Sequence, residues 1–451
     1  MGTSFYFFDL ETSGFSPRND RIMQFAGIRT DTQLNQIGEP DNILIKMTPD
    51  ILPQPDAVLV HAITPQKTIS EGISEAEFCR YLTSQVSTPN TVMVGFNNVR
   101  FDNEFIRFTL WRNFHDAYEW SWKEGCSTWD MLDVVRMMRA LRPEGIKWSF
   151  SPDGTPSNKL EYLSAVNKLD HTDAHDALSD VRAVLALARL IKSKRPKLFD
   201  YLLNHRAKNK VTPLVNSGKP IVYTSGRYPS EFNKTTVAVM AAQKPDKSGA
   251  LMYDLRIDPD EFTALSPAEL AKRWSAWGKD EPYFPVKILG YNKCPAVAPL
   301  EVVKVDNGYE KLQLHEEIIF NHLTKLRNSP GFADKLLKAL DIMWPPRQPQ
   351  LMYDQQTVDA QLYDSFVNNE DKTKMSAVRA AKAEEISKLN LNFNDERLKL
   401  LLPLYKARNY PKFLDDKEQA EWENFCQQKL LVGGQTENYF KRLQELAATP
   451  G

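Results

Sequence analysis

The chain has 451 residues, enough for about three domains of ~150 residues each, and its 42% hydrophobic and 25% charged content is typical of a globular protein. Its net charge of −1 does not favour a uniformly basic nucleic-acid binder, although a near-neutral total leaves room for a basic groove beside an acidic site. No run approaches the ~18 apolar residues of a membrane helix, and Asp9 and Glu11 interrupt the apolar start too early for a secretion signal.

The first ~190 residues alternate short apolar runs with helical patterns, which predicts an α/β domain. Ser4–Leu10 has the pattern of a buried strand, and Gln24–Thr30 that of its hairpin neighbour. Thr91–Phe96 is another apolar run of strand length. Apolar residues at spacings of three and four predict a helix over Phe101–Phe114, and a stretch rich in Ala and Leu predicts another over Ala177–Ile191.

A domain boundary is predicted near Lys192–Pro196, where the chain becomes basic. The basic residues of this stretch are Lys192, Lys194, Arg195, Lys197, Arg206, Lys208 and Lys210. One interpretation is a solvated linker and helix face. The other is an electrostatic contact to nucleic acid or to an acidic partner, and the sequence leaves both open.

The middle of the chain has the pattern of a small α+β domain. Strands are predicted at Ile221–Tyr223, Thr235–Ala242, Ala250–Leu255, Val286–Leu289 and Val302–Val305. The turn at Pro245–Gly249 predicts a hairpin between the second and third of these strands. Ser266 and Glu269 form a capping box with Pro267 at the first helical position, so a helix begins there. A helical stretch, Leu314–Trp344, is followed by a predicted linker at Pro345–Pro349 and then by helices.

Asp9 and Glu11 stand at the end of the first predicted strand. Side chains at i and i+2 of a strand point to one side, so both carboxylates are aimed at one point. Two such carboxylates repel each other unless a cation lies between them. Hard oxygen ligands suit Mg²⁺ or Mn²⁺. Taken alone, the pair is weak evidence, because chance and turn chemistry account for most such pairs.

Three more residues belong to the candidate site. Asp102 stands near the start of a predicted helix, where the helix dipole alone would favour a carboxylate. Asp180 lies on the Ala177 helix, and Asp173 or Asp176 is better placed than Asp180 to cap that helix. His175 by itself is more often a hydrogen-bonded structural histidine than a catalyst.

The combination is more specific than its parts. Asp9-x-Glu11, Asp102 after Asn-x-x-x-Phe, and His175-x-x-x-x-Asp180 match in order and spacing the three exonuclease motifs of the DEDD superfamily, histidine subclass. Over nearly its whole length the chain resembles the bacterial exodeoxyribonuclease I family. The segments that carry this resemblance are Phe8–Thr12, Gln24–Ala26, Ile28–Asp31, Gly38–Pro40, Leu52–Pro55, Ile63–Gln66, Gly95–Asp102, Leu141–Ile146, Leu198–Leu202, Asn292–Pro295, Asp359–Tyr363 and Ala407–Pro411.

The resemblance implies three domains: a nuclease domain with a mixed, ribonuclease H-like α/β sheet at 1–192, a small SH3-like α+β domain at 196–346, and a helical domain at 350–451. It implies hydrolysis of single-stranded DNA from the 3′ end, in DNA repair and recombination. Two Mg²⁺ ions, which Mn²⁺ can replace, would be held by Asp9, Glu11, Asp102 and Asp180, and His175 would act as the general base.

The resemblance also suggests contacts to substrate and partner. Glu11, Arg107, Tyr118, Trp122 and Lys159 are candidate substrate contacts, although Tyr118 and Trp122 could equally form one apolar helix face. Lys159 stands where members of the family carry arginine, so the charge is kept and a bidentate phosphate contact is lost. Arg142 and Tyr201 match segments that bind the C-terminal tail of single-stranded DNA-binding protein.

Four cysteines far apart in the sequence, Cys79, Cys126, Cys294 and Cys426, predict reduced thiols and a cytoplasmic protein. We expect a monomer without membrane association. Three other functions are less consistent with the sequence. A ribonuclease or proofreading subunit of the same superfamily is mostly a single nuclease domain, a non-catalytic single-strand-binding module would not need all five site residues, and a metabolic α/β enzyme would need a Gly-rich phosphate loop.

Overall fold

The computed structural model describes residues 2–169, 176–276, 283–345, 357–432 and 434–448. The chain divides into two compact units, one made of residues 1–127, 172–182 and 349–451, the other of residues 128–171 and 183–348. Within the described ranges, no helix is both long enough and apolar enough to cross a membrane.

Strands and helices alternate over the first 194 residues, as the sequence pattern predicts. They are β1 (Ser4–Thr12), β2 (Ile22–Thr30), β3 (Asp41–Leu44), α1 (Pro55–His61), α2 (Pro65–Glu71), α3 (Glu75–Tyr81), β4 (Thr91–Gly95), α4 (Asp102–Arg112), β5 (Ser127–Asp130), α5 (Met131–Leu141), α6 (Leu160–Asn167) and α7 (Ala177–Lys194). The predicted strands and helices of this region are confirmed. The sequence pattern did not predict β3 or the short helices α1–α3.

A mixed sheet organises the nuclease part of the first unit. β1 pairs antiparallel with β2 and parallel with β4, and β2 pairs antiparallel with β3. The first half of β1 is apolar and buried at successive residues, as expected for a strand covered on both faces. Its second half alternates, because Phe8 and Leu10 are buried whereas Asp9 and Glu11 are partly exposed.

The second unit contains an antiparallel sheet with helices around it. Its further elements are α8 (Pro196–Asn204), α9 (Lys208–Asn216), β6 (Ile221–Thr224), β7 (Thr235–Gln243), β8 (Gly249–Asp254), α10 (Asp260–Thr263), α11 (Pro267–Ala276), β9 (Val286–Gly290), β10 (Ala296–Pro299), α12 (Gly308–Lys311), α13 (Glu316–Arg327) and α14 (Phe332–Met343). The strand order is β10-β6-β7-β8-β9, and the predicted β7–β8 hairpin is confirmed. The predicted capping box is confirmed too, since Ser266 Oγ accepts the Glu269 N–H at 3.3 Å.

The strand predicted at Val302–Val305 is wrong. This segment overlaps a short 3-10 helix, Leu300–Val303, and the strand instead lies just before it at Ala296–Pro299. Pro299 ends that strand, because proline has no backbone N–H with which to continue a ladder. Val302 and Val303 are still buried or half-buried, so the hydrophobic pattern indicated their burial correctly but the wrong secondary structure.

The C-terminal part is helical in its described residues, as predicted. Its helices are α15 (Asn369–Ala380), α16 (Ala383–Ile386), α17 (Glu396–Asn409), α18 (Asp416–Gln427) and α19 (Gln435–Ala448). Of the predicted linker Pro345–Pro349, all but Pro345 lies outside the described residues. The predicted domain boundaries at 192–196 and 346–350 stay predictions.

Helix α4 contributes to two hydrophobic cores of the first unit. Phe105, Ile106 and Leu110 pack with the sheet and α3. Phe108 and Trp111 pack with residues of the C-terminal helices, such as Leu401 and Tyr405. The start of α4, where Asp102 stands, is therefore held by packing on both sides of the helix.

Candidate active site

Three carboxylates converge at the end of β1. Strand alternation places Asp9 and Glu11 on one face of the sheet, and Asp180 stands in the first turn of α7. One oxygen atom from each of Asp9, Glu11 and Asp180 can be chosen so that all three lie within 4.8 Å of one another. Oxygen donors at this spacing suit a hard divalent cation.

Asp102 lies outside this tightest group but is electrostatically part of the site. It is the first residue of α4 and is 4% exposed. Burial raises the pKa of Asp9 well above its ordinary value, and the charge of Asp102 is the next largest cause, ahead of Asp180 and Glu11. The structure thus brings Asp9, Glu11 and Asp180 together and places Asp102 within electrostatic range of Asp9, while the role of the four acids as metal ligands stays a prediction.

The pKa of Glu11 is raised as well. Burial, followed by the charges of Asp180, Asp102 and Asp176, raises the pKa of Glu11 to about 8. Like charges this close favour protonation unless a cation compensates them. The donor set and its electrostatics thus fit a site for divalent metal ions.

The start of α7 is organised by Asp176. Its Oδ2 accepts the Ser179 N–H at 3.1 Å, and its carbonyl oxygen accepts the Asp180 N–H at 3.0 Å. This is the capping role that the sequence assigned to Asp173 or Asp176. His175 and Asp173 themselves lie outside the described residues.

One contributor was missed by the sequence analysis. Gln24, on β2, lies directly opposite Glu11 in the β1–β2 register. Its Nε2 donates to Asp176 Oδ1 at 3.1 Å and to Asn42 Oδ1 at 2.8 Å. The predicted hairpin could have identified Gln24, because cross-strand neighbours face the same side of a sheet.

Arg107 and Tyr118 contact each other, whereas Trp122 is exposed. The Arg107 guanidinium lies 5.6 Å from the centre of the Tyr118 ring, and its Nη1 is 2.6 Å from Glu104 Oε1. Tyr118 is half-buried, and Trp122 is 62% exposed. Only a single 3-10 turn, Glu119–Ser121, separates the two aromatic residues, so the alternative of one apolar helix face is wrong.

The remaining candidate residues lie in the second unit. Lys159 immediately precedes α6, with its Nζ 3.5 Å from Glu161 and 5.3 Å from the Tyr162 ring centre. Arg142 Nε is 3.1 Å from Asp306 Oδ2. The Tyr201 ring stacks on the His205 ring at a centroid distance of 4.0 Å.

Family comparisons cover almost the whole chain. The exonuclease family model matches residues 6–188. The models described as the exonuclease I SH3-like domain and the exonuclease I C-terminal domain match residues 206–341 and 356–450. The predicted fold class, a mixed-sheet nuclease domain followed by SH3-like and helical domains, is thereby confirmed.

Full-length relatives agree with these matches. The chain is 40% identical over 435 residues to exodeoxyribonuclease I of Haemophilus influenzae, covering 95% of this chain and 90% of the relative. The solved structure of Escherichia coli exonuclease I with a dA16 oligonucleotide is 37% identical, with a TM-score of 0.92 and coverage of 99% and 95%. A structure described as SSB/exonuclease I in complex with the inhibitor CFAM is 36% identical, with a TM-score of 0.88 and coverage of 99% and 94%. Identity and coverage of this extent place the chain in the exodeoxyribonuclease I family, a family of exonucleases.

Proposed function

We propose that this protein degrades single-stranded DNA from the 3′ end to 5′-mononucleotides, in DNA repair and recombination. The observation that carries the proposal is the convergence of Asp9, Glu11 and Asp180 beside Asp102, in a chain that matches the family over almost its full length. The dA16 complex of the Escherichia coli relative supports a single DNA strand as the substrate. Matches to the SH3-like and C-terminal domains favour this function over that of a single-domain ribonuclease or proofreading subunit.

The four carboxylates would hold two Mg²⁺ ions, which Mn²⁺ can replace. Asp9, Glu11, Asp102 and Asp180 would each supply carboxylate oxygens to these ions. When bound, such a pair of ions stabilises the negative charge on the attacking and leaving oxygens of an in-line displacement. Glu11 would have a second role in this proposal as a contact to the substrate, a role that the family resemblance implies.

His175 would be the general base. In the proposed step the water oxygen forms a bond to phosphorus, the bond from phosphorus to the 3′ oxygen breaks, and the imidazole takes a proton from the water. The departing 3′ oxygen takes a proton from solvent and becomes the 3′-hydroxyl of the shortened strand. An imidazole with an ordinary pKa of about 6.5 is largely neutral at physiological pH and can accept that proton. In sequence it directly precedes Asp176, the residue that caps α7.

Single-strand binding would rely on aromatic and basic side chains. Trp122 offers an exposed ring and Tyr118 a half-buried one beside Arg107, so bases can stack there while cations contact phosphates. Lys159 would contribute a further phosphate contact. Stacking and backbone contacts of this kind carry little sequence preference.

Further proposals concern partner, assembly and location. Arg142 and Tyr201 would bind the acidic C-terminal tail of single-stranded DNA-binding protein, a partner supported by the SSB/exonuclease I structure of a relative. We also propose that the protein is a cytoplasmic monomer.

The first experiment follows a DNA strand labelled at its 5′ end, incubated with the protein and either Mg²⁺ or EDTA. Stepwise shortening with Mg²⁺ and an intact strand with EDTA are expected. A blunt duplex and a strand with a 3′-phosphate should resist degradation. If the strand is bound but stays intact in Mg²⁺, the proposed activity is wrong and the single-strand-binding alternative holds.

Two substitutions separate the proposed roles. His175→Ala should slow the reaction strongly while leaving metal binding nearly unchanged. Asp180→Ala should lose both activity and metal binding. Normal activity in either variant would contradict the assignment of that residue.

A further inference from the structure

The side chain of Gln24 connects three elements around the carboxylate cluster. It stands on β2 opposite Glu11 and is 5% exposed. Its Nε2 donates to Asn42 on β3 and to Asp176 at the start of α7, at 2.8 and 3.1 Å. Its Oε1 accepts the backbone N–H of Ala177 at 3.4 Å.

The primary amide is chemically specific for this position. A glutamine side chain offers two N–H donors and one carbonyl acceptor, and here both donors and the acceptor are used. The Gln24 side-chain carbonyl oxygen accepts the N–H of Ala177. This N–H is one of the first backbone donors of α7, which have no hydrogen-bond partner within the helix. A methionine in place of Gln24 would fill similar space but could make none of these three hydrogen bonds.

The hydrogen bond to Asp176 links Gln24 to the helix turn that carries Asp180, a proposed metal ligand. Asp176 receives Gln24 on Oδ1 and caps the helix with Oδ2 through Ser179 N–H. Asp180 lies in the first turn of α7, and its own N–H donates to the Asp176 carbonyl oxygen. A displacement of Asp176 therefore displaces the first turn that carries Asp180.

The other end of this connection is anchored in the sheet. Asn42 belongs to β3, and the preceding residue, Asp41, accepts hydrogen bonds from the hydroxyl groups of Tyr6 and Tyr81. Tyr6 is a core residue of β1, the strand that carries Asp9 and Glu11. The hydrogen bonds of Gln24 to Asn42 and Asp176 are partly buried and the one to Ala177 is buried, although Asn42 itself is exposed.

We propose that Gln24 is a positioning residue whose side-chain amide ties the first turn of α7 to the sheet and so holds Asp180 against Asp9 and Glu11. This inference deepens the proposed function. It rests on that function only where activity on DNA is measured. Such positioning is needed because the carboxylates carry like charges. Without a bound cation the carboxylates of β1 and α7 repel one another, and the hydrogen bonds of Gln24, one of which goes to the Asp176 carboxylate, resist their separation.

The test compares Gln24→Met with the unchanged protein in three measurements. In hydrogen exchange without metal, peptides covering 177–190 should lose protection while peptides of β1 keep theirs. The dissociation constant for Mn²⁺ should rise about 10- to 100-fold, the usual effect of removing a group that orients a metal ligand. With single-stranded DNA, kcat at limiting Mg²⁺ should fall while KM stays within about twofold, because the residue acts through the metal ligands.

A matched control is Gln361→Met. Gln361 is 4% exposed, and its amide donates to Thr357 Oγ1 at 3.1 Å in the same unit, without contacting α7 through that bond. The substitution removes a buried side-chain amide elsewhere in the unit, so this variant should keep its Mn²⁺ affinity and the protection of α7. Unchanged protection of α7 and unchanged Mn²⁺ affinity in Gln24→Met would overturn the proposal, as would equal metal effects in both variants. If the unchanged protein fails to degrade DNA, the proposed activity falls, whereas exchange and Mn²⁺ binding still decide the role of Gln24.

Discussion

Glu11 combines two properties that matter for metal binding. It is partly buried at the end of β1, and three nearby carboxylates help to raise its pKa to about 8. A metal ion must therefore displace a proton from this group at neutral pH. Because metal ligands bind in their deprotonated form, metal affinity and pH are linked at the level of a single side chain.

We expect the affinity for Mg²⁺ to rise as the pH increases through about 8, by up to about tenfold per pH unit below that value for one displaced proton. Isothermal titration calorimetry in buffers of different ionisation enthalpy would measure both the affinity and the protons released. Glu11→Gln should bind more weakly and show a shallower pH dependence. Equal affinities from about pH 6 to about pH 9 would contradict a raised pKa at Glu11.

The same repulsion predicts a stability effect of Asp180→Asn. The folded pKa of Glu11 exceeds its ordinary value of 4.5, so its contribution to stability is fully present below that value and is lost as pH rises through about 8. Removing the Asp180 charge relieves the repulsion. The metal-free variant should therefore melt at a higher temperature than the unchanged protein at pH values above about 8, while Mg²⁺ should no longer stabilise it. A lower melting temperature without metal would refute this reasoning.

At the scale of elements, a buried ion-pair network joins the nuclease part of the first unit to its C-terminal helices. Asp359 accepts hydrogen bonds from Arg408 at 2.9 and 2.8 Å and from Arg21 at 2.7 Å. Asp50 accepts hydrogen bonds from Arg408 and Lys429, both at 2.8 Å. Burial alone would raise the pKa values of both aspartates, but the neighbouring cations hold them well below their ordinary range.

We expect Asp359→Asn to lower the free energy of unfolding by about 3–5 kcal/mol, because the buried Arg21 and Arg408 lose one of the two anions that they share. Since the folded pKa of Asp359 is depressed, the stability it contributes is present at neutral pH and is lost as pH falls below its ordinary value. Urea unfolding at neutral and acidic pH would measure both effects.

The control for this substitution is Asp56→Asn. Asp56 pairs with Arg442 between α1 and α19, where both side chains are largely exposed. Exposed pairs contribute little to stability, so this variant should unfold at nearly the same urea concentration as the unchanged protein. Equal losses in the two variants would show that burial of the Asp359 network is not the source of its effect.

At the scale of the whole molecule, the net charge of −1 means that DNA is not attracted by the protein's overall charge. Binding of a single strand must come from local cations that contact phosphates. Each such contact releases counterions, so affinity falls with salt by a slope of about −0.7 per phosphate on a double logarithmic plot.

Lys159→Met should reduce this salt slope by about 0.7 if Lys159 contacts a phosphate. Lys168→Met is a suitable control, because Lys168 stands at the other end of α6 and is exposed. Fluorescence anisotropy with a labelled single strand over a range of KCl concentrations would give both slopes. Equal slopes in the two variants would remove Lys159 from the binding surface.

The sequence by itself determined much of this protein. Apolar runs and period-two alternation predicted β1 and the shared face of Asp9 and Glu11, because strand geometry is a local property. The spacing of Asp9, Glu11, Asp102, His175 and Asp180 indicated the family, which the comparisons confirmed. The helix cap at Ser266 was also predicted from neighbouring residues alone, and Asp176 was one of the two residues predicted to cap α7.

Only the tertiary structure decided the contacts between segments distant in sequence. It placed Gln24 between β3 and α7, and it buried Asp359 and Arg408, which a charge pattern does not distinguish from solvated residues. It also replaced the strand predicted at Val302–Val305 with a 3-10 helix. Local periodicity reports which residues become buried, whereas hydrogen-bond and ion-pair partners depend on how distant elements pack. That is why the shared face of Asp9 and Glu11 was predictable, whereas the hydrogen-bond partners of Gln24 and Asp359 were not.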